Sequence, residues 1–341
     1  MQHVEAVVIG GGQSGPAAGH APVGAGLKPV ALETSDRAAG SWPHYYDSLT
    51  LFPPARFSAL PGMPFGGDPD RYPHRDEVVA HLTAYAARLQ ADIRTGQRVI
   101  AVRADGAGFT VGVEGGGQLW ARAVVAASGS FGRPHRPDLP GIETFAGQVL
   151  HAADHRSPAS FAGQRVVVVG AGNSAVQIAA ELAPESRPGL ATRAPLKFAR
   201  QHLLSKDLQV LARPHRPGHR PARTAPEDSA GAPDRRPMFT RLTDDRVTWA
   251  DGTTERLDAP ILATGYRPHL PYLAGLDGAL DPAGRPHHRD GTSPAHPGLE
   301  FVGLEWHAAR PRTPCAASAA TPPGRPAVWP PGRPAPDPLP S

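Results

Sequence analysis

The sequence is short of three things, and each shortage excludes a class of function. A single cysteine, Cys315, in 341 residues leaves no intramolecular disulfide, no CxxC redox pair and no cysteine-built zinc centre, and it fits a reducing compartment. Lysine occurs only at Lys28, Lys197 and Lys206, so nearly all of the 35 basic residues are arginine. No block of five or more basic residues forms, and 31 acidic residues are interspersed. The net charge of +4 therefore marks no nucleic-acid surface. No apolar run reaches the roughly 18 residues of a membrane helix, and the start lacks a basic stretch followed by a long apolar one. A cytoplasmic protein with neither membrane nor nucleic-acid partners is expected.

Proline (41) and glycine (38) are abundant instead, at roughly twice ordinary usage and without a G-X-Y period. The 40% hydrophobic content is sufficient for two compact domains. Residues 213–237 hold six prolines and six arginines, which predicts an irregular stretch with no packed element. Residues 307–341 hold eleven prolines and few large apolar groups, which predicts a disordered tail.

One pattern occurs twice. Ala6-Val-Val-Ile-Gly-Gly-Gly-Gln-Ser-Gly15 is echoed 160 positions later by Val166-Val-Val-Val-Gly-Ala-Gly-Asn-Ser-Ala175. Each copy opens with β-branched residues suited to a buried parallel strand, then a glycine-rich turn, then an alanine-rich stretch suited to a helix. Between them, Arg75 to Leu89 shows a 3.6-residue period in Val78, Val79, Leu82, Tyr85, Ala86 and Leu89, behind Asp76 and Glu77 in the first turn. Strands are predicted at Gln97–Val102, Phe109–Val113, Gln118–Trp120 and Ala123–Ala127, with a turn at Gly115-Gly-Gly117. Further strands are predicted at Phe239–Leu242, Arg246–Trp249 and Ala259–Tyr266.

In the first copy, Gly10-x-Gly12-x-x-Gly15 follows the strand Val4 to Ile9, and Glu33 closes the next strand 18 residues beyond Gly15. Gly10 permits the tight turn, Gly12 lets a pyrophosphate approach the backbone, and Gly15 lets the helix pack on the strand. Helix-start N–H groups around Gln13 and Ser14 face the phosphates, and Glu33 accepts from the ribose hydroxyls. A glycine loop without a ligand is the plainer alternative. Pro22 conflicts with this reading, because inside a helix it removes a hydrogen bond and costs about 3 kcal/mol.

The second copy, Gly170-x-Gly172-x-x-Ala175, again places Asn173 and Ser174 at a helix start, and Arg193 follows Gly170 by 23 residues. Alanine at the third glycine position with a basic residue at the strand end points to NADPH, whose 2′-phosphate an arginine can pair. A solvated surface arginine is the alternative, and Lys197 is a second candidate. The presenting strand, Arg187-Pro-Gly-Leu-Ala-Thr192, is weakened by Pro188-Gly189. Two such sites, one acidic and one basic at the ribose, suggest FAD served by NADPH.

With these turns, Phe145-Ala-Gly-Gln-Val-Leu-His-Ala-Ala-Asp-His-Arg156 and Leu262-Ala-Thr-Gly-Tyr266 are present. Together they resemble the flavin-containing monooxygenases. The Phe145 segment resembles that family's fingerprint FxGxxxHxxx followed by an aromatic and a basic residue. His155 replaces the aromatic here, and Arg156 favours the heteroatom-oxygenating type over the Baeyer-Villiger type. Thr264 and Gly265 resemble the family's ATG motif, which returns the chain from the NADPH domain to the FAD domain. Gly40-Ser41-Trp42 with Tyr45, Tyr46 and Phe52 resembles the part that approaches the flavin ring, although ordinary core packing explains each aromatic equally well. His151 and His155, four apart, could share a metal on a helix, but no third ligand is evident and no metal is expected.

The resemblance implies an α/β fold of two Rossmann-like dinucleotide-binding domains, the NADPH domain inserted in the FAD domain. The expected boundaries are 1–158 and 259–306 for FAD and 159–258 for NADPH. It implies hydride transfer from NADPH to the flavin, addition of O2 to give a flavin hydroperoxide, and oxygen transfer to a small soft nucleophile. His151 is the one residue expected in a catalytic or positioning role, and a homodimer is compatible. Two alternatives stay open: an NADPH-dependent flavin oxidase or reductase, and a degraded relative without catalysis, suggested by Pro22, Pro188-Gly189, 213–237 and the tail.

Overall fold

The computed structural model describes residues 1–24, 28–195 and 233–304, with the two-residue strands Phe198–Ala199, His202–Leu203, Lys206–Asp207 and Arg223–Thr224 between them. Lys197, Cys315, residues 307–341 and most of 213–237 lie outside the described residues.

The first sheet contains β1 (Gln2–Ile9), β2 (Val30–Leu32), β3 (Asp92–Arg94), β4 (Val99–Asp105), β5 (Gly108–Val113) and β6 (Gln118–Ala126), in the order β3-β2-β1-β6-β5-β4. Strands β3, β2, β1 and β6 run parallel, and β4 and β5 complete an antiparallel meander. Ala6, Val7, Val8 and Ile9 are all buried, as a central parallel strand covered on both faces requires. Helix α1 (Ser14–Gly24) crosses from β1 to β2, with Pro16 in its first turn and Pro22 in its last. The conflict at Pro22 stands, because the groups left free in a last helical turn are carbonyls, whereas an N–H there would still donate to the turn before it.

Helix α2 (Arg75–Arg88) buries Val78, His81, Leu82, Tyr85 and Ala86. Its start is fixed by the Glu77 carboxylate, which accepts from the His74 N–H at 2.9 Å. The predicted face missed His81, whose ring stacks on Phe65 at 4.4 Å and whose burial pushes its pKa down.

The second sheet contains β7 (Leu150–His151), β8 (Arg165–Val169), β9 (Arg187–Thr192), β10 (Asp234–Pro237) and β11 (Ala259–Leu262), in the order β10-β9-β8-β11-β7, all parallel. Helix α3 (Asn173–Leu182) crosses from β8 to β9 and packs Val176, Ile178, Ala179 and Leu182 into the core. A small antiparallel sheet of Arg241–Thr243, Arg246–Thr248 and Thr254–Arg256 follows. The chain then returns to the first sheet, where β12 (Leu299–Phe301) pairs with the second half of β6. No described helix is long and apolar enough to cross a membrane.

The ladders put β7 and β11 in the second sheet. Two expectations are corrected. Asp234–Pro237, expected to be irregular, is an edge strand, a place where Pro237 removes no central ladder bond. The segments Gln118–Trp120 and Ala123–Ala127 merge into one strand, because β1 pairs along nearly the whole of it.

Pro188 and Gly189 do not prevent β9. Arg187 N–H donates to the Gln164 carbonyl on the β8 side, so Pro188 faces β10, one position before the first residue paired there. Gly189 makes room for the buried guanidinium of Arg165, whose nitrogens would lie 3.2 Å from an added Cβ. Arg165 donates to both Glu255 oxygens at 3.1 and 2.8 Å and to the Arg187 carbonyl at 3.0 Å, and it reaches Asp234 at 3.4 Å. Burial pushes the Glu255 carboxyl up, but hydrogen bonding and charge from Arg165, with Trp249 and Arg236, outweigh it and leave the pKa lowered.

Arg165→Met is expected to cost about 3 kcal/mol, because it removes both guanidinium bonds from a half-buried carboxylate and leaves it only Trp249 and the more distant Arg236. A depressed carboxyl pKa contributes stability above its unfolded value of 4.5 and loses it as pH falls through the folded value. Denaturant titrations should therefore show the gap between wild type and Arg165→Met closing as pH drops below 4.5. A gap that stays constant with pH contradicts this account.

Candidate nucleotide sites and the junction between them

Sheet register assembles the first turn. Ile9 pairs with Leu32, so Gly10 and Glu33 leave the sheet side by side, and the Gly10 N–H donates to the Leu32 carbonyl at 2.8 Å. An added Cβ on Gly15 would sit 1.7 Å from the Gly10 carbonyl oxygen, so this glycine is required by helix-on-strand packing alone. At Gly12 the nearest atom to such a Cβ is the Gly40 Cα, at 3.7 Å, and its outer face is open.

Glu33 is buried and accepts from the Gly11 N–H and from the Ser35 N–H and hydroxyl at 2.7 and 2.8 Å. A carboxylate offers about four acceptor directions, which leaves one for a ribose hydroxyl. Ser35, missed in the sequence reading, is signalled by its spacing of two from Glu33. Gly303, at the end of β12, approaches so closely that an added Cβ would strike the Ser14 hydroxyl.

The second turn repeats this construction. Val169 pairs with Ala191 on one side and Leu262 on the other, and the Gly170 N–H donates to the Ala191 carbonyl at 3.1 Å. A Cβ on Gly170 would lie 2.3 Å from the Ala263 carbonyl oxygen, whereas one on Gly172 would meet nothing within 4 Å. Neither α1 nor α3 has an acidic residue in its first turn, so the positive ends of both helices are uncompensated. Arg193 is exposed on the bend that follows β9, and no described carboxylate pairs with it.

Thr264 and Gly265 abut this turn. The Thr264 hydroxyl donates to the His135 carbonyl, and the Gly265 carbonyl accepts from the His135 N–H at 2.9 Å. His151 is fully buried beside them: its Nδ1 accepts from the Ala153 N–H at 3.0 Å, and its Nε2 lies 3.1 Å from the Gly265 carbonyl. Those partners fix the neutral tautomer with the proton on Nε2, and burial holds the pKa below its ordinary value. With both ring nitrogens occupied, His151 has none left for substrate. These bonds tie the ring to the 264–265 turn, in keeping with the positioning role expected of it. His151 lies on a strand and not on a helix with His155, and the described residues hold no group of three or more potential metal ligands.

An aromatic arc joins the two turns. Trp42 meets Tyr45 (5.5 Å), Tyr45 meets Phe131 (6.4 Å), Phe131 meets Tyr266 (5.1 Å) and Tyr266 meets His151 (5.1 Å), all edge to face. Phe131, in the loop that follows β6, was not anticipated and is 52% exposed. Tyr46 does not join the arc; it is buried in the second core.

Residues 7–199 match a family model described as pyridine nucleotide-disulphide oxidoreductase. A rice indole-3-pyruvate monooxygenase is 32% identical over 78% of this chain and 77% of its own. A mutant flavin monooxygenase from Stenotrophomonas maltophilia superposes with a TM-score of 0.84 at 33% identity, covering 94% of this chain and 95% of that one. An uncharacterized CzcO-like oxidoreductase from Geobacillus kaustophilus is 29% identical over 91% and 94%. The chain belongs to the flavin-containing monooxygenases, within the pyridine nucleotide-disulphide oxidoreductase family.

As a flavin-containing monooxygenase it uses FAD and NADPH. The residues fit two dinucleotides: two open glycine faces, two helix starts with free positive ends, a buried carboxylate at one strand end and an exposed arginine at the other. If Gly12 and Gly172 are spaces for phosphate, Gly12→Ala and Gly172→Ala should fold with near-normal melting temperatures yet bind FAD and NADPH, respectively, at least about tenfold more weakly. Gly15→Ala should instead be strongly destabilised. Flavin content, NADPH titration and thermal melting of the three variants distinguish these outcomes.

Proposed function

We propose that this flavin-containing monooxygenase consumes NADPH and O2 to place one oxygen atom on a small substrate with a nucleophilic nitrogen or sulfur. Gly10, Gly12, Gln13, Ser14, Gly15, Glu33 and Trp42 hold FAD, and Gly170, Gly172, Asn173, Ser174 and Ala175 hold NADPH with Arg193 at its 2′-phosphate. When bound, FAD supplies the redox chemistry, taking a hydride from NADPH and activating oxygen. The chain's own part is to position and to exclude water. One observation carries this reading: two nucleotide turns are linked by an aromatic arc in which the buried histidine is fully hydrogen-bonded, so that histidine serves packing and positioning.

A dithiol route has no support, because the sequence has one cysteine. Arg156 donates to the Ala153 and His155 carbonyls at 2.9 Å and so braces the fingerprint turn. Its identity favours a heteroatom acceptor by family resemblance.

The purified protein should be yellow, bleach on anaerobic addition of NADPH, and recover its colour in air with one oxygenated product per NADPH when given a thioether or tertiary amine. Indole-3-pyruvate serves as the comparison substrate. Stoichiometric peroxide with no product from any of them would support an NADPH oxidase instead. Arg193→Ala should lower the preference for NADPH over NADH by about tenfold to a hundredfold, the worth of a charge-assisted phosphate contact. An unchanged preference removes Arg193 from the site.

A further inference from the structure

The segment Tyr45–Thr50 leaves the first nucleotide region, yet it is bound mainly to the second. Tyr46 is buried among Ala152, Phe161, Val176 and Ile178, and Leu49 packs beside it. Three of the polar contacts that accompany this insertion fall on one face of α3. The Tyr46 hydroxyl donates to Gln177 Oε1 at 2.7 Å. Gln177 Nε2 donates to the Thr50 carbonyl at 3.0 Å. The Ser48 hydroxyl donates to Glu181 Oε2, and Glu181 Oε1 is bonded to His155 Nε2. Gln177 and Glu181 are spaced four apart, which puts them on one helix face.

His155 stands where the family resemblance leads one to expect an aromatic. Its ring keeps the flat packing, 6.0 Å from Tyr46 and 5.7 Å from Phe161, and adds a hydrogen bond that an aromatic hydrocarbon ring lacks. His155 is buried and its Nδ1 has no partner, which places the ring proton on Nε2, toward Glu181. The Glu181 carboxylate therefore joins three parts of the chain: α3, the Ser48 loop and the fingerprint turn. On the other side of that loop, Arg75 holds the Tyr45 carbonyl at 2.7 Å and Asp47 at 2.6 Å, and the Asp47 N–H donates to the Arg156 carbonyl at 2.8 Å.

We propose that Glu181 is a positioning residue for the reaction between the two nucleotides. It clamps α3, the helix that starts at the NADPH turn, to the loop that carries Tyr45 of the aromatic arc. Sliding α3 along this loop moves the Gly170–Ala175 turn relative to Trp42 and Tyr45. Hydride transfer depends steeply on such geometry, and a misplacement of about 1 Å can cost a hundredfold. This inference rests on the assignment of the second turn to NADPH.

Two measurements test it. In rapid-mixing experiments without oxygen, Glu181→Ala should lower the rate of flavin reduction by saturating NADPH by about tenfold or more, while reduction by dithionite and the flavin content stay as in wild type. Glu181→Gln, which still accepts from His155, should recover most of the rate. In the flavin-free and NADPH-free protein, Glu181→Ala should speed hydrogen exchange in residues 45–50 and 173–182 and leave β1–β6 unchanged. Ser48→Ala and Gln177→Ala, each of which removes part of the contact between the loop and α3, should show the same pattern more weakly, so the test survives if Glu181→Ala fails to fold. Wild-type reduction rates and exchange in all these variants would overturn the clamp. A wild-type protein that NADPH does not reduce would overturn the assignment of the turn, whatever the exchange shows.

Discussion

The structure depends on backbone meeting backbone at two strand-to-helix turns. Gly15 lies against the Gly10 carbonyl, and Gly170 against the Ala263 carbonyl, at distances that no side chain could share. Those approaches let α1 and α3 start directly over the ends of β1 and β8, so that their first N–H groups point out of the sheets. The neighbouring strands then deliver Glu33 and Arg193 to the same edges, because the registers Ile9 to Leu32 and Val169 to Ala191 bring the strand ends level.

Between the turns the molecule uses two kinds of linkage. One is apolar and geometric: the arc from Trp42 through Tyr45, Phe131 and Tyr266 to His151, ending on the 264–265 turn. The other is polar and gathers around the buried Tyr46 and His155: Tyr46, Ser48, Thr50 and His155 against Gln177 and Glu181 of α3. Buried polar contacts are costly when incomplete and highly directional when complete, which suits them to holding two units at one angle. The Arg165 network does comparable work inside the second sheet, where Gly189 is small so that a guanidinium can lie over it.

Much of this was legible in the residues. The two glycine turns, the strands before them and α2 follow from local chemistry, since each is written within about 25 consecutive positions. The errors came where a strand's neighbours decided the outcome. Pro188 and Pro237 look like strand breakers, but a proline is tolerated where its missing N–H faces no partner, and only the sheet order reveals that. Only the structure shows that the two nitrogens of His151 serve the backbone of residues 153 and 265.

The sequence by itself determined the two nucleotide turns, because glycine spacing, β-branched strands and a terminal charged residue are local requirements of binding a dinucleotide at a helix start. Tertiary structure alone decided the junction. Phe131 and Tyr266 are 135 positions apart and Ser48 and Glu181 are 133 apart, and no local pattern in the chain records that they meet. Their meeting follows from two sheets packed around one inserted loop, where burial selects which distant polar groups must find each other.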